Sequence, residues 1–437
     1  MPSPRPRPAR RRLSSTLPLL ALSFACAATG AQAQSASGIL LDAIDTVFAF
    51  GDSYTYDGYM PENGINSFPG IGNTTGGGYN WIQYLTTPSS IYDAGSSTFN
   101  PNHSITLYDM AYAGATTNST IVEGSEGTPD LVAQVEQWQD YFAPPSTQAN
   151  WTANSTLFAL WFGINDIGFS YLQKKDVNAE NGAIFDTLNS QVATLYNGGA
   201  RNFLFLGVPP TQRTPLVQSY GMEAVSQFAA NIATYNQNLA SYLSAFTSLF
   251  PGSQISLFDT QPFFTAILDS PRTYGFLEAE TYCTAYAEIS DQPMAMLAEC
   301  AWPMSEYVWW NAYHPTWAVH RLLAIVIANS LSNPASVTTT SVVAPTPSAS
   351  SNLSTTASAS DVTTFTTVLP STFIPTTSLT NTIPASAPTT TQTVTATGGV
   401  GGGSGGSNGG SRARGDVGAA GKVLLGVAVG AALALCL

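Results

Sequence analysis

Thr46-Val47-Phe48-Ala49-Phe50-Gly51-Asp52-Ser53-Tyr54-Thr55 decides how the rest of the chain is read. Its first five residues are β-branched, aromatic or small, which predicts a buried strand. The run stops at Gly51 and Asp52, and Ser53 follows at once. A serine in that place has two readings. It is a turn or helix-cap residue, or it is a nucleophile held clear of the sheet on a strand-to-helix turn.

Working outward, four more apolar runs read as strands: Ile105–Tyr108, Leu157–Phe162, Phe203–Leu206 and Ile255–Phe258. Helical patterns fall between and around them, over Pro129–Phe142, Asn178–Tyr196 and one long stretch, Met222–Phe250. Tyr79–Leu85 starts a further helix, and Thr316–Leu331 closes the series. Such alternation predicts an α/β fold, a parallel sheet with helices on both faces. Sites in these sheets sit at the carboxyl ends of the strands. The residues just past the strands therefore matter. They are polar or glycine turns: Gly51-Asp52-Ser53, Ala113-Gly114-Ala115, Gly163-Ile164-Asn165-Asp166 and Gly207 with Pro209-Pro210; Trp309-Trp310-Asn311-Ala312-Tyr313-His314-Pro315 precedes the last helix.

Acyl transfer needs these groups. Ser53 offers a hydroxyl, and His314, stiffened by Pro315, offers a base. Backbone N–H groups of Ser53 and Gly114 with the Asn165 amide offer donors to a developing oxyanion. Two other histidines compete: His103 lies in a glycosylation sequon, and His320 falls within the last helix, where packing or solvation is the default. Asp52 and Asp166 read as braces of turns and caps. Gly402–Gly406 matches G-x-S-x-G but sits in a glycine tract with no strand before it, so it is not a nucleophile elbow. Tyr56, Tyr59, Trp81, Trp309 and Trp310 are either a stacking platform for sugar rings or core. No cofactor is called for, and no Cys/His set has metal-ligand spacing.

In order along the chain, FAFGDSYT, GGYNWIQYLT, YDMAYAGATT, FGINDIG, VPPTQRTP and WWNAYHPT resemble the blocks of the GDSL or SGNH hydrolases, most of all the fungal carbohydrate esterase family 16 acetylesterases. The resemblance implies a flavodoxin-like three-layer α/β/α sandwich. It implies a serine esterase removing acetyl groups from cell-wall oligosaccharides without metal or cofactor. Ser53 would be nucleophile, His314 base, and Ser53, Gly114 and Asn165 the oxyanion hole. One position departs from the family: Asn311 stands where these enzymes usually carry an aspartate, three residues before the histidine. An amide oxygen can orient the imidazole, but it brings no negative charge, and its NH₂ face would select the wrong tautomer. An Asp-to-Asn change at such a position costs about 10⁴ in kcat in a serine protease. Glu306 is a candidate substitute carboxylate. Two other readings stand beside the acetylesterase: a lipid esterase or lysophospholipase with the same machinery, and a surface glycoprotein with impaired catalysis.

The ends of the chain differ from its body. Residues 1–33 combine five arginines, an apolar stretch over Leu17–Ala28 and Ala31-Gln32-Ala33, the pattern of a cleaved secretory signal. Residues 334–398 are Ser, Thr and Pro-rich and predict a disordered, O-glycosylated stalk beyond the catalytic body, 34–333. A glycine-rich linker and spacer over 399–422 and an apolar tail over 423–437 predict a GPI-attachment signal, with Ser407 or Asn408 as attachment site. The formal net charge is −13. Eight of the 14 basic residues but only one of 27 acidic residues lie in the two end signals, so the mature chain carries −20. That charge excludes nucleic-acid binding and suits a neutral substrate. A monomer is expected, meeting membrane only through its lipid anchor. Cys283 and Cys300 are the only cysteines left in the mature chain. In an oxidising compartment they predict a disulfide, stabilising by about 3 kcal/mol for a loop of this size. Sequons at Asn73, Asn102, Asn118, Asn150, Asn154 and Asn352 accord with secretion.

Overall fold

The computed structural model describes residues 38–69, 72–87, 104–144, 149–287, 296–332 and 363–365. The expected signal, glycine-rich linker and apolar tail lie outside the described residues, as do Asn102, His103, Asn352, Ser407 and Asn408.

Among the described residues six parallel strands form one sheet in the order β2-β1-β3-β4-β5-β6. They are β1 Thr46–Gly51, β2 Thr106–Asp109, β3 Thr156–Trp161, β4 Asn202–Leu206, β5 Gln254–Phe258 and β6 Thr363–Phe365. The first five are the runs read from sequence. β6 comes from the Ser/Thr/Pro-rich segment and pairs with the edge of β5.

β1, β3 and β4 are buried along their whole length, as strands covered on both faces must be. Alternate side chains enter two cores. Val47, Ala49, Leu157, Ala159, Trp161, Leu204 and Leu206 face one, and Phe48, Phe50, Phe158, Leu160, Phe203 and Phe205 face the other. The helices that fill these cores are α1 Trp81–Thr86, α2 Leu131–Tyr141, α3 Ile164–Leu172, α4 Val177–Asn197, α5 Met222–Ser244, α6 Thr260–Asp269 and α7 Trp317–Ser332. Residues of α1, α6 and α7 pack in the first core; Leu131, Val135 and Trp138 of α2 and Leu188, Val192 and Leu195 of α4 pack in the second. This is the expected three-layer α/β/α arrangement.

Two differences from the sequence reading have local causes. The helix expected over Met222–Phe250 breaks: α5 stops at Ser244, Ala245 turns out of line, and Phe246–Leu249 form a separate short turn. That places Phe246 in the second core against Phe203 and Phe205. Asn165 is not in an irregular turn either. Gly163 alone, in the left-handed region at φ 109°, separates β3 from α3, so Asn165 and Asp166 stand in the helix's first turn. A side chain at position 163 would also meet Val208 and Tyr235 at 2.5 and 2.6 Å.

Candidate active site

Ser53 stands two residues past the last residue of β1, in a turn whose shape its neighbours impose. Asp52 Oδ1 accepts the Tyr54 N–H at 3.0 Å, and the Asp52 carbonyl accepts the N–H groups of Thr55 and Tyr56. Thr75 Oγ1 donates to the Ser53 carbonyl. Ser53 Oγ lies 2.8 Å from His314 Nε2, although 261 positions separate the two residues.

The histidine arrives on a tight loop rather than a sheet end. Trp309 and Pro315 form an antiparallel bridge, and the Trp310 N–H donates to the His314 carbonyl at 2.8 Å. Inside the loop one atom does most of the holding. Asn311 Oδ1 accepts the backbone N–H groups of Tyr313 at 2.9 Å and His314 at 2.8 Å, and lies 3.0 Å from His314 Nδ1. Two peptide donors converging on one amide atom identify it as oxygen, since nitrogen there would oppose donor to donor. The ring's Nδ1 therefore carries the hydrogen and donates to Asn311, and Nε2 presents its lone pair to the serine hydroxyl. The wrong-tautomer hazard of an asparagine is removed by the two peptide N–H groups. Glu306 makes no hydrogen bond to the ring; Asn311 is its partner.

Burial dominates the electrostatics of the site. Burial holds the His314 pKa down, from the ordinary 6.5 to about 3. Asp52 is raised to about 8 by burial, against the bond from Tyr54 and with help from Asp166. Asp166 is raised to about 6, again chiefly by burial, with the Thr117 bonds opposing. Asp52 and Asp166 act as the braces read from sequence: Asp166 receives Thr117 through both N–H and hydroxyl. His320 is buried in α7, a packed residue as expected.

Gly114 adopts φ 83°, and a side chain there would strike Ser125 Oγ at 2.1 Å. Among the described residues, neither the Ser53 nor the Gly114 backbone N–H donates to a protein acceptor. Asn165 Nδ2 spends one hydrogen on the Ala115 carbonyl at 3.0 Å, tying α3 to the Gly114 turn and leaving the other hydrogen. Preorganised, unpaired donors of this kind are what a developing oxyanion requires.

The aromatic residues separate cleanly. Trp81, Tyr59, Trp309 and Trp310 are buried core with their polar atoms spent on protein acceptors: Trp309 Nε1 on Ala279, Trp310 Nε1 on Tyr286, and Tyr59 Oη on Ile65. Tyr56 stays half-buried beside a residue the motifs did not single out, Tyr112, with ring centroids 6.2 Å apart. Each is tied to a site turn, Tyr56 N–H to the Asp52 carbonyl and Tyr112 N–H to the Gly51 carbonyl. A second overlooked residue is Gln134. Its signal was visible: Leu131, Gln134, Val135 and Trp138 form one buried stripe of α2, and Gln134 is the polar member.

Cys283 and Cys300 form a disulfide. Among the described residues no group of three or more His, Cys, Asp or Glu could hold a metal ion, and no helix is long and apolar enough to cross a membrane.

The family model for GDSL-like lipases and acylhydrolases matches residues 47–327. An acetylesterase of Thermothelomyces thermophilus is 32% identical over 295 residues, 65% of this chain and 87% of that protein. An acetylesterase of Hypocrea jecorina is 24% identical over 66% of this chain and 87% of its own length. A thermolabile hemolysin of Vibrio parahaemolyticus is 24% identical over 67% of this chain and 65% of its own length.

Proposed function

Because the chain belongs to the GDSL-like lipase and acylhydrolase family, and is a carboxylic ester hydrolase, we propose that it removes acetyl groups from carbohydrate esters by a serine acyl-enzyme route. The observation that carries the reading is the 2.8 Å contact of Ser53 Oγ with His314 Nε2, backed by Asn311 Oδ1 at 3.0 Å from Nδ1. Ser53 Oγ attacks the ester carbonyl carbon as its proton passes to His314 Nε2. The tetrahedral oxyanion is received by the N–H groups of Ser53 and Gly114 and by the free hydrogen of Asn165. The imidazolium returns its proton to the departing sugar hydroxyl, leaving an acetylated Ser53. Water, deprotonated by the same Nε2, then attacks the acetyl carbonyl, and acetate leaves as the imidazolium returns the proton to Ser53 Oγ. Asn311 holds the tautomer through both halves without contributing charge.

The carbohydrate assignment is supported by the two fungal acetylesterases among the relatives. It is also supported by the Tyr56–Tyr112 pair, because aromatic faces at a site rim stack on sugar rings. The sequence features at the two ends support a secreted protein held by a GPI anchor above a glycosylated stalk. N-glycans fit the exposed Asn150 and Asn154; Asn73 is exposed too, but its Nδ2 donates to the Asp57 carbonyl at 3.1 Å. Asn118 fits less well, since its Nδ2 donates to Thr187 at 3.1 Å.

Hydrolysis of p-nitrophenyl acetate, butyrate and octanoate tests the reading. Acetate is expected to be turned over in clear preference to the longer chains. Preference for octanoate would move the protein to the lipid esterases, and no turnover of any ester would end the proposal.

A further inference from the structure

We infer that Gln134 is a positioning residue for catalysis, a side-chain clasp that sets the nucleophile turn against the oxyanion turn. The inference rests on the esterase reading of Ser53 and Gly114 and adds a residue to it.

Gln134 is completely buried, on α2, 83 positions from the strand it touches. Its Oε1 accepts the Gly51 N–H at 3.0 Å, and its Nε2 donates to the Gly51 carbonyl at 2.9 Å. The remaining Nε2 hydrogen goes to the Pro129 carbonyl at 3.1 Å. One residue exchanging both its N–H and its C=O with one partner is the pattern of an antiparallel pair, which a parallel sheet does not offer. The side-chain amide supplies it just past the paired β1–β2 register, which ends at Ala49 and Asp109; there the Gly51 carbonyl receives both Gln134 Nε2 and, at 3.2 Å, the Tyr112 N–H. Gly51 is in turn two residues from Ser53. A side chain at 51 would meet Thr55 and the Trp161 carbonyl at 3.0 Å, so the strand end has no slack on its other side.

The same first turn of α2 grips the oxyanion turn. The Leu131 N–H donates to the Thr116 carbonyl at 3.1 Å. Asp130 caps α2 through Ala133 N–H and takes both the N–H and hydroxyl of Ser119 at 2.8 Å. Thr128 Oγ1 donates to the Ala113 carbonyl at 3.2 Å. The start of α2 is thus bonded to the residue two before the nucleophile and to the residues flanking Gly114. Its Gln134 arm is the link to the nucleophile side. A polar residue on the apolar stripe of a helix is costly unless every one of its polar groups is satisfied. Here all three are, and two of them go to Gly51.

An attack geometry relaxed by about 1 Å can cost about a hundredfold in rate while binding is untouched. The test is steady-state hydrolysis of p-nitrophenyl acetate by the full chain carrying Gln134→Leu or Gln134→Glu, beside wild type and Ser53→Ala. Gln134→Leu is expected to lower kcat by about 10- to 100-fold with KM within about twofold. In Gln134→Glu a protonated carboxyl reproduces both bonds, its C=O taking the Gly51 N–H and its O–H meeting the Gly51 carbonyl. At about pH 5 this variant is expected to recover kcat to within a few-fold of wild type. It loses that recovery as rising pH ionises the carboxyl against a carbonyl. Melting temperatures identify any variant that merely unfolds. Folded Gln134→Leu with wild-type kcat, or equal losses in the two variants at about pH 5, would overturn the clasp. Wild type no more active than Ser53→Ala would instead overturn the esterase reading beneath it.

Discussion

The two halves of the site are held in opposite ways. Ser53 stands at the end of a strand with β2 and β3 on either side, and Asp52, Thr75 and Gln134 fix its turn from three directions. His314 sits off the sheet, on a loop between Trp309 and Pro315 whose inner bonds converge on one oxygen of Asn311. The serine side is rigid because many elements share the work. The histidine side is rigid because one residue and the disulfide-bearing segment behind it do. Single changes on the first side, short of losing the nucleophile itself, should therefore cost less than loss of Asn311 on the second, with Gln134, the buried arm on Gly51, the costliest of them.

Loss of the reacting groups sets the upper end. Ser53→Ala and His314→Ala should each lower kcat by at least about 10³-fold in p-nitrophenyl acetate assays, with the fold intact by circular dichroism. Asn311→Ala comes next. It leaves the ring unoriented and two loop N–H groups without their acceptor, so we expect kcat to fall by about 10²-fold or more, together with a lower melting temperature. An equally deep change on the serine side, Thr75→Ala, should cost less than Asn311→Ala; the reverse order would break the comparison.

The disulfide sharpens it. The loop it closes is wired to the histidine segment: Trp310 Nε1 donates to the Tyr286 carbonyl and Tyr286 Oη to the Trp302 carbonyl. Reduction in dithiothreitol should lower kcat several-fold before far-ultraviolet ellipticity changes. Unchanged activity in the reduced protein would detach the disulfide from the base.

The smallest effect is on stability. Asp52, Asp57, Asp109 and Asp166 are all raised above the ordinary carboxylate range, chiefly by burial. The folded chain keeps protons there that the unfolded chain releases. The resulting stabilisation is complete below the ordinary carboxylate pKa of 3.8 and is lost as pH rises through about 6, 7 and 8 for Asp166, Asp57 and Asp52. His314 and His320 work the other way: both are lowered to about 3, so their contribution is present above 6.5 and is lost as pH falls. Between about pH 6.5 and 8 only the carboxyls among these groups still change. The melting temperature should fall by several degrees between about pH 6.5 and 8, as scanning calorimetry would measure.

Much of this was legible beforehand. Strands written as unbroken apolar runs located themselves; the segments past them offered Ser53, Gly114 and Asn165 as candidates, and the segment before the last helix offered His314. What could not be read depends on groups that meet only after folding. Nothing local shows which face of the Asn311 amide meets the ring, because two peptide N–H groups of a folded loop decide it. Nothing between Met222 and Phe250 marks a break, since Ala245 is a good helix former and the packing of Phe246 overrides it. GIND resembled a turn because a single glycine makes the whole connection into α3. The tryptophans of the histidine segment were ambiguous in sequence, where a ring destined for the core and one destined for a sugar are written alike.

The pH dependence of kcat/KM on p-nitrophenyl acetate, measured on wild type and Asn311→Asp together, tests the central claim of a neutral imidazole oriented by an amide. Wild type should stay active well below the ordinary histidine value of 6.5, with its acid limb near the lowered value of about 3. A carboxylate at 311 should move that limb upward and leave kcat equal or faster at neutral pH. A wild-type limb near 6.5 that Asn311→Asp leaves in place would contradict the account.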